Sequence, residues 1–315
     1  MLRTEICDLF GIDYPLVQGG MIWNSGADLA AAVSEAGALG LVGAGSMTPD
    51  LLEAQIRKAK RLTEKPFGVN LPVFYKHADE NLEVMLREKV GIVFTSGGSP
   101  KRFTARLKDR GVKVAHVVAR PDLARKCEEA GVDAVVCEGF EAGGHNGRDE
   151  LTTMALVPQC VDAVRIPVLA AGGIGDGRAM AAALALGAKG VQVGTRFAAT
   201  FEASGHPAFK QAVLDAGCAD TVLCMRRLMP VRLIRNAFAE RMLEAEARGA
   251  TREELSEMLG RGRAKAGMLD GDAAEGELEI GQVSGLIREL KPAGEVVREM
   301  VAECERVLRG LYGAL

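Results

Sequence analysis

The segment Glu138-Gly139-Phe140-Glu141-Ala142-Gly143-Gly144-His145-Asn146-Gly147 sets one histidine among four glycines. Imidazole titrates near neutrality, so His145 can give or take a proton at physiological pH. The bland alternative is an exposed loop histidine, and the segment alone leaves both readings open. Two further segments offer donors to an anion. Ala171-Gly172-Gly173-Ile174 and Gln192-Val193-Gly194-Thr195 each end an apolar run and open a helical stretch. The backbone amides of Gly173 and Gly194, with the Thr195 hydroxyl, can hold a phosphate at a helix N-terminus. Without a ligand these would be two tight turns. Asn70, closing Phe67-Gly68-Val69-Asn70, can bond a ring edge or satisfy backbone.

Other chemistries find little support. His116 sits inside the apolar run Val112–Val118 and reads as structural; His77 and His206 lie near helix starts and read as solvated. No histidine pair has metal-ligand spacing, so no metal is expected. The seven cysteines are odd in number and lack a C-x-x-C, which predicts reduced, mostly buried thiols. There is no G-x-S-x-G elbow and no P-loop. No carboxylate pair stands at neighbouring strand ends, which argues against a glycosidase. No lysine stands there either, which argues against a Schiff-base enzyme.

The elements that must position these residues alternate in kind. Strands are predicted at Tyr14–Gln18, Leu39–Val42, Phe67–Leu71, Gly91–Thr95, Val112–Val118, Ala134–Glu138, Val168–Ala171 and Gly190–Val193. Helices are predicted at Ala27–Glu35, Pro49–Leu62, Asn81–Glu88, Lys101–Asp109, Pro121–Ala130, Met154–Val164 and Gly177–Leu186. The strands are continuously apolar, as in parallel sheets buried on both faces. Eight such units predict an α/β fold, a closed (β/α)8 TIM barrel. A doubly wound open sheet is the competitor, but the nearest dinucleotide fingerprint, Gly43-Ala44-Gly45-Ser46-Met47-Thr48, lacks its third glycine. In a barrel the C-terminal strand ends carry the chemistry, and all the segments above fall there.

After about Arg226 the chain turns arginine- and glutamate-rich with helical periodicity. Gly249 can end one helix and Thr251-Arg252-Glu253-Glu254 can start the next as a capping box. A final amphipathic helix is expected over Glu295–Leu311. The organisation expected is a barrel over 1–205, a small helical cap over 206–290 and a returning C-terminal helix over 291–315. The cap's Arg226, Arg227, Arg232, Arg235, Arg241, Arg261, Arg263 and Lys265 either face an acidic partner or form a solvated face balanced by glutamates.

Composition bounds the rest. Net charge is −3, with no basic stripe, so nucleic acid is not an expected partner. No run of 18 apolar residues marks a membrane span. Glu5 and Asp8 interrupt the N-terminal stretch, which does not read as a signal peptide, and a cytoplasmic location is expected. Glycine is high, 38 of 315 residues, and it gathers at the predicted strand ends. That distribution predicts a bare backbone cradle for a flat or anionic ligand.

Five motifs in order, PLVQGGM (15–21), KPFGVN (65–70), CEGFEAGGHNG (137–147), LAAGGIGDGRAM (169–180) and VQVGTRF (191–197), resemble the nitronate monooxygenase family, the 2-nitropropane dioxygenase-like flavoproteins. Within it the likeness is nearest to FMN-dependent type II enoyl-acyl-carrier-protein reductases, and it extends to Glu279-Ile280-Gly281-Gln282. The resemblance implies non-covalent FMN. Gly172-Gly173 and Gly194-Thr195 match its phosphate segments. Gly20, Met21, Asn70 and Glu138 match positions beside the isoalloxazine ring, with Gln192 nearby and Gly144 completing the cofactor set. His145 matches the active-site histidine. In nitronate oxidisers that residue is a base; in the reductases it polarises the enoyl thioester or positions the nicotinamide. The implied activity is reduction of trans-2-enoyl-acyl-carrier-protein thioesters by NADH or NADPH in fatty-acid synthesis, in a homodimer. The first alternative is oxidation of alkyl nitronates with oxygen. A flavin-free reading, a sugar-phosphate isomerase or a silent phosphate-binding barrel, is the second.

Overall fold

The computed structural model describes residues 2–312. A short helix α1 (Glu5–Phe10) precedes β1 (Leu16–Gln18), and βα units follow. They run α2 (Ala27–Glu35), β2 (Gly40–Gly43), α3 (Pro49–Leu62), β3 (Phe67–Pro72), α4 (Ala78–Arg87), β4 (Ile92–Ser96) and α5 (Thr104–Lys108). Next come β5 (Lys113–Val118), α6 (Pro121–Glu129), β6 (Ala134–Glu138), β7 (Gly144–His145), α7 (Thr153–Ala163), β8 (Val168–Ala171), α8 (Gly177–Ala185) and β9 (Gly190–Val193). All strands but β7 form one parallel sheet of eight, in the order β1-β9-β8-β6-β5-β4-β3-β2. A parallel bridge between Val17 and Leu39 joins the two ends and closes the barrel. The fold is a (β/α)8 TIM barrel.

Tight turns and caps punctuate the units. Pro49 opens α3 behind Thr48, whose hydroxyl accepts from the Leu51 amide. Asp176 caps α8 through the Arg178 and Ala179 amides at 3.0 and 3.1 Å. Inside the barrel, Val17, Leu41, Phe94, Ala115, Val136 and Leu169 pack with Ile6 and Phe10 of α1. Helix α1, absent from the sequence reading, thus plugs the N-terminal end, with Phe10 and Phe94 ring centroids 5.5 Å apart. The cysteines among the described residues are all free, and only Cys218 is exposed.

After β9 come α9 (Thr195–Ala198), α10 (Pro207–Asp215), β10 (Thr221–Cys224), β11 (Val231–Ile234), α11 (Ala237–Ala247), α12 (Arg252–Leu259), α13 (Arg263–Met268) and α14 (Ala293–Tyr312). Helix α14 packs against α8 and α2, where the eighth barrel helix belongs. The capping box at Thr251 and Glu254 forms as expected. Gly249, at φ +84°, follows α11. The cap is not purely helical, however. Strands β10 and β11 pair antiparallel, and β7 adds to β11 with His145 opposite Val231 and Gly144 opposite Arg232. The loop after β6 therefore belongs to a three-stranded cap sheet. The predicted helix over Lys101–Asp109 is also interrupted: Pro100–Arg102 forms a 3-10 turn, and Thr104, the first residue of α5, donates its hydroxyl to the Pro100 carbonyl at 2.6 Å.

Candidate active site

The strand ends, the loop after β6 and residues from Glu279 to Val283 enclose a cavity of about 850 Å³. Every residue expected at the site from sequence lines it. Volumes of this order hold cofactors and drug-sized ligands.

One end is an anion cradle. Gly172 and Gly173 take φ of +81° and +70°, which side chains disfavour. A Cβ on Gly172 would stand 2.4 Å from the Gly139 carbonyl oxygen, so the turn is wedged against the loop after β6. Among the described residues, the amides of Gly173 and Ile174 have no protein acceptor. Gly194 precedes α9, and the Thr195 hydroxyl beside it accepts from the Gly281 amide at 3.0 Å. One expectation needs correction. The N-terminus of α8 is not open to a phosphate, because Asp176 caps it and Glu303 accepts from the Gly177 amide at 2.8 Å. The donors left are those of the two glycine turns. Among the described residues no lysine or arginine lines this end; the lining ammonium groups, Lys101 and Lys126, stand on the β4–β5 side.

The other end is suited to a ring. A Cβ on Gly20 would fall 2.2 Å from the Asn70 Cβ, so bare backbone and Asn70 touch there. Asn70 does bond backbone, donating to the Phe94 carbonyl at 3.3 Å, and it also faces the cavity. Met21 spans toward Gly194: its sulfur lies 3.6 Å from where a Gly194 Cβ would sit. The buried Gln192 Oε1 has no hydrogen-bond partner among the described residues. Such an orphan acceptor costs about 1–3 kcal/mol unless a ligand donates to it. Glu138 ends β6 without a side-chain partner among the described residues, and burial pushes its pKa up to about 7. Unclaimed amides at one end and an unpartnered acceptor beside a glycine-walled slot at the other fit a flavin mononucleotide.

His145 is not on a flexible loop. Strand β7 holds it, and the neighbouring glycines serve close packing: a Cβ on Gly143 would lie 2.4 Å from the Ile280 carbonyl carbon. Its ring is open to the cavity, and Phe74 meets it edge-on with centroids 5.8 Å apart. Desolvation by the surrounding walls lowers its pKa, which favours the neutral imidazole.

The remaining histidines make local contacts, although His116 also borders the cavity. His116 is buried, its Nδ1 is 2.6 Å from Thr95 Oγ1, and burial lowers its pKa to about 4. His77 stacks edge-on against Tyr75. His206 is a cap rather than a solvated group, its Nδ1 accepting from the Ala208 amide at 3.1 Å. The cap's basic cluster is largely spent internally. Arg226, Arg235, Arg241 and Lys265 pair with Glu150, Glu240, Glu275 and Asp270. Arg227 and Arg263 donate to carbonyls, and the buried Arg232 donates to the Phe140 carbonyl.

Carboxylates are more numerous here than the strand ends predicted. Glu141 and Glu279 line the cavity with Glu138. Glu141 accepts from the Thr153 amide at the start of α7, 3.0 Å away. Glu279 comes from the segment after the cap helices, far from any barrel strand in sequence. Its signals were an acid set between Leu278 and Ile280 and the family likeness of Glu279-Ile280-Gly281-Gln282, neither of which placed it in the site.

The chain is matched by the family model "Nitronate monooxygenase" over residues 3–84 and 73–303. FabK from Thermotoga maritima is 42% identical, covers the whole of both chains and superposes with a TM-score of 0.95. The nitroalkane oxidase from Streptomyces ansochromogenes is 32% identical over 97% of this chain and 99% of its own, with a TM-score of 0.83. The (3aS,4S,5R,7aS)-5-hydroxy-7a-methyl-1-oxo-octahydro-1H-indene-4-carboxyl-CoA dehydrogenase of Mycobacterium tuberculosis is 35% identical over 96% of each chain. These relatives are oxidoreductases, and with the family model spanning both barrel and cap, the chain belongs to the nitronate monooxygenase family.

Proposed function

We propose that this protein reduces trans-2-enoyl thioesters, carried on acyl carrier protein or coenzyme A, with NADH or NADPH and a resident FMN. The observation that carries the reading is the cavity's extension beyond the ring slot. Beyond the ring slot the cavity reaches Ser99, Lys101, Leu123, Lys126 and Glu129, on the 3-10 turn and α6. A thioester on a long phosphate-bearing arm has use for an amphipathic extension whose two ammonium groups outnumber its one carboxylate. A small nitronate has none. The whole-length likeness to FabK and to a CoA-thioester dehydrogenase supports the same substrate class.

FMN, when bound, supplies hydride uptake and delivery. The amides of Gly173 and Ile174 and the Gly194-Thr195 turn would hold its phosphate. Asn70 and Gln192 would orient its ring, beside Gly20, Met21, Gly144 and Glu138. Neutral His145 can donate one N–H to the thioester carbonyl oxygen, where negative charge grows in the transition state. Strand β7 sets the His145 backbone, and Phe74 meets its ring edge-on. Cytoplasmic homodimers belong to the same proposal.

Nitronate oxidation is the second reading, favoured by the family model and the nitroalkane oxidase likeness. One comparison separates the two. Crotonyl-thioester-dependent oxidation of NADH or NADPH supports reduction. Oxygen uptake with propionate-3-nitronate and no nicotinamide overturns it. Protein that takes up no FMN on reconstitution overturns both.

A further inference from the structure

We propose that Glu279 is the proton donor to the α-carbon of the enoyl thioester. The inference rests on the reductase reading above. It arises from how one strand presents two side chains. His145 stands opposite Val231 and Glu279 opposite Leu233, both on the edge of β11 that β10 leaves free. Val231 and Leu233 are two residues apart, so their cross-strand partners project from the same sheet face. That spacing sets the two backbones about 7 Å apart along the strand. Both side chains line the one cavity. A thioester whose carbonyl oxygen reaches His145 therefore turns its neighbouring carbon toward a second polar group.

The segment bearing Glu279 is built into the site. The Ile234 amide bonds the Leu278 carbonyl at 2.9 Å, and the Gln282 amide bonds the Glu141 carbonyl at 3.0 Å. The Gly281 amide donates to Thr195 Oγ1. Glu279 Oε2 lies 2.6 Å from where a Gly144 Cβ would stand, so the carboxyl lies against the bare backbone of β7. The carboxyl has no hydrogen bond or ion pair among the described residues.

The groups around it favour the protonated form. Burial raises its pKa, and Glu277, two residues earlier, raises it further. Glu138 and Glu141 face the same cavity, and neutral His145 adds no charge. Arg232 of β11 is committed to the Phe140 carbonyl and Thr221, and Arg263 acts on Glu277. Among the described residues no cation pairs with the Glu279 carboxyl, and Lys101 and Lys126 stand on the β4–β5 side of the cavity. The neutral acid is therefore present where neutral His145 is a poor donor. In the step, hydride brings its electron pair to the β-carbon and the α-carbon takes the Glu279 proton. Water entering the cavity then returns a proton to the carboxylate. Overall, enoyl thioester, reduced nicotinamide and one proton yield saturated thioester and oxidised nicotinamide.

The test uses the FMN-loaded enzyme and Glu279→Gln. Crotonyl-CoA reduction is expected to fall about 100-fold or more, the usual range for losing a general acid. Anaerobic bleaching of the flavin by NADH or NADPH should stay at the wild-type rate. Infrared spectra of the flavin-free protein should show a protonated carboxyl band that persists above pH 7 and is missing in Glu279→Gln. Glu277→Gln removes a neighbouring negative charge, so the alkaline limb of the pH–rate profile should move to lower pH. Glu279→Gln that reduces crotonyl-CoA at the wild-type rate, or an unchanged alkaline limb in Glu277→Gln, overturns the donor role. Wild-type enzyme that reduces no enoyl thioester overturns the reductase reading itself.

Discussion

Replacing Gly172 by alanine tests whether the cradle turn is held in place by the loop it touches. Two costs add. The residue sits at φ +81°, where an L side chain costs about 1–2 kcal/mol. The new methyl would also meet the Gly139 carbonyl oxygen at 2.4 Å, a backbone atom that cannot swing aside. Overpacking of that kind costs about 1–3 kcal/mol. Gly131 supplies the control: φ is +84°, but a Cβ there meets nothing within 4 Å. Gly131→Ala should therefore lose about 1–2 kcal/mol, and Gly172→Ala about 2–5 kcal/mol. Urea unfolding of both flavin-free variants measures the difference. FMN titration by fluorescence adds a second readout, since relief of the clash moves the Gly173 amide. Gly131→Ala should bind FMN as wild type does, and Gly172→Ala at least about 10-fold more weakly, or 1.4 kcal/mol. Equal stabilities with equal FMN affinities would refute both the wedge and the cradle.

Other outcomes follow from the same geometry. His145→Ala should leave FMN binding intact and lower kcat for crotonyl-CoA by about 100-fold, in steady-state assays; full turnover would remove the histidine from the chemistry. Because burial raises the folded-state pKa of Glu138 from 4.5 to about 7, the folded form holds a proton that the unfolded chain has lost across that window. Stability should fall as pH rises from 4.5 to 7, by no more than about 3 kcal/mol, and Glu138→Gln should flatten that slope in urea titrations at several pH values. Thr251→Ala removes half of the capping box of α12 and should cost about 0.5–2 kcal/mol, read as a lower Tm.

The barrel was legible because glycine and proline mark its units. Ala134–Glu138, Val168–Ala171, Gly190–Val193 and Ala27–Glu35 fall where their composition ends them. The cap sheet was not. Val222-Leu223 and Val231-Arg232-Leu233 are short, and the arginines between them read as a helical surface. Their pairing is completed by β7, which lies about 85 residues earlier and contributes two residues whose composition, Gly-His, carries no strand preference. The site divided in the same way. Residues on strand ends, such as Asn70, Glu138 and Gln192, could be placed by the barrel rule. Glu279 reaches the cavity through tertiary packing across the cap, which no local pattern encodes. The free helix terminus expected at α8 failed for a related reason: Glu303, from α14, folds back onto it.

The pairing of Gly144 and His145 with β11 has a mechanical consequence. The upper structure is not a detachable lid, because part of the barrel's own loop is woven into it. Arg148 reinforces the weave by donating to the Arg226 and Leu228 carbonyls. Any outward swing must either tear those backbone pairs or carry the imidazole away from the barrel mouth. The cavity thus cannot be both wide open and fully armed. Exchange of molecules through such an opening is therefore coupled to the backbone pairs that hold Gly144 and His145.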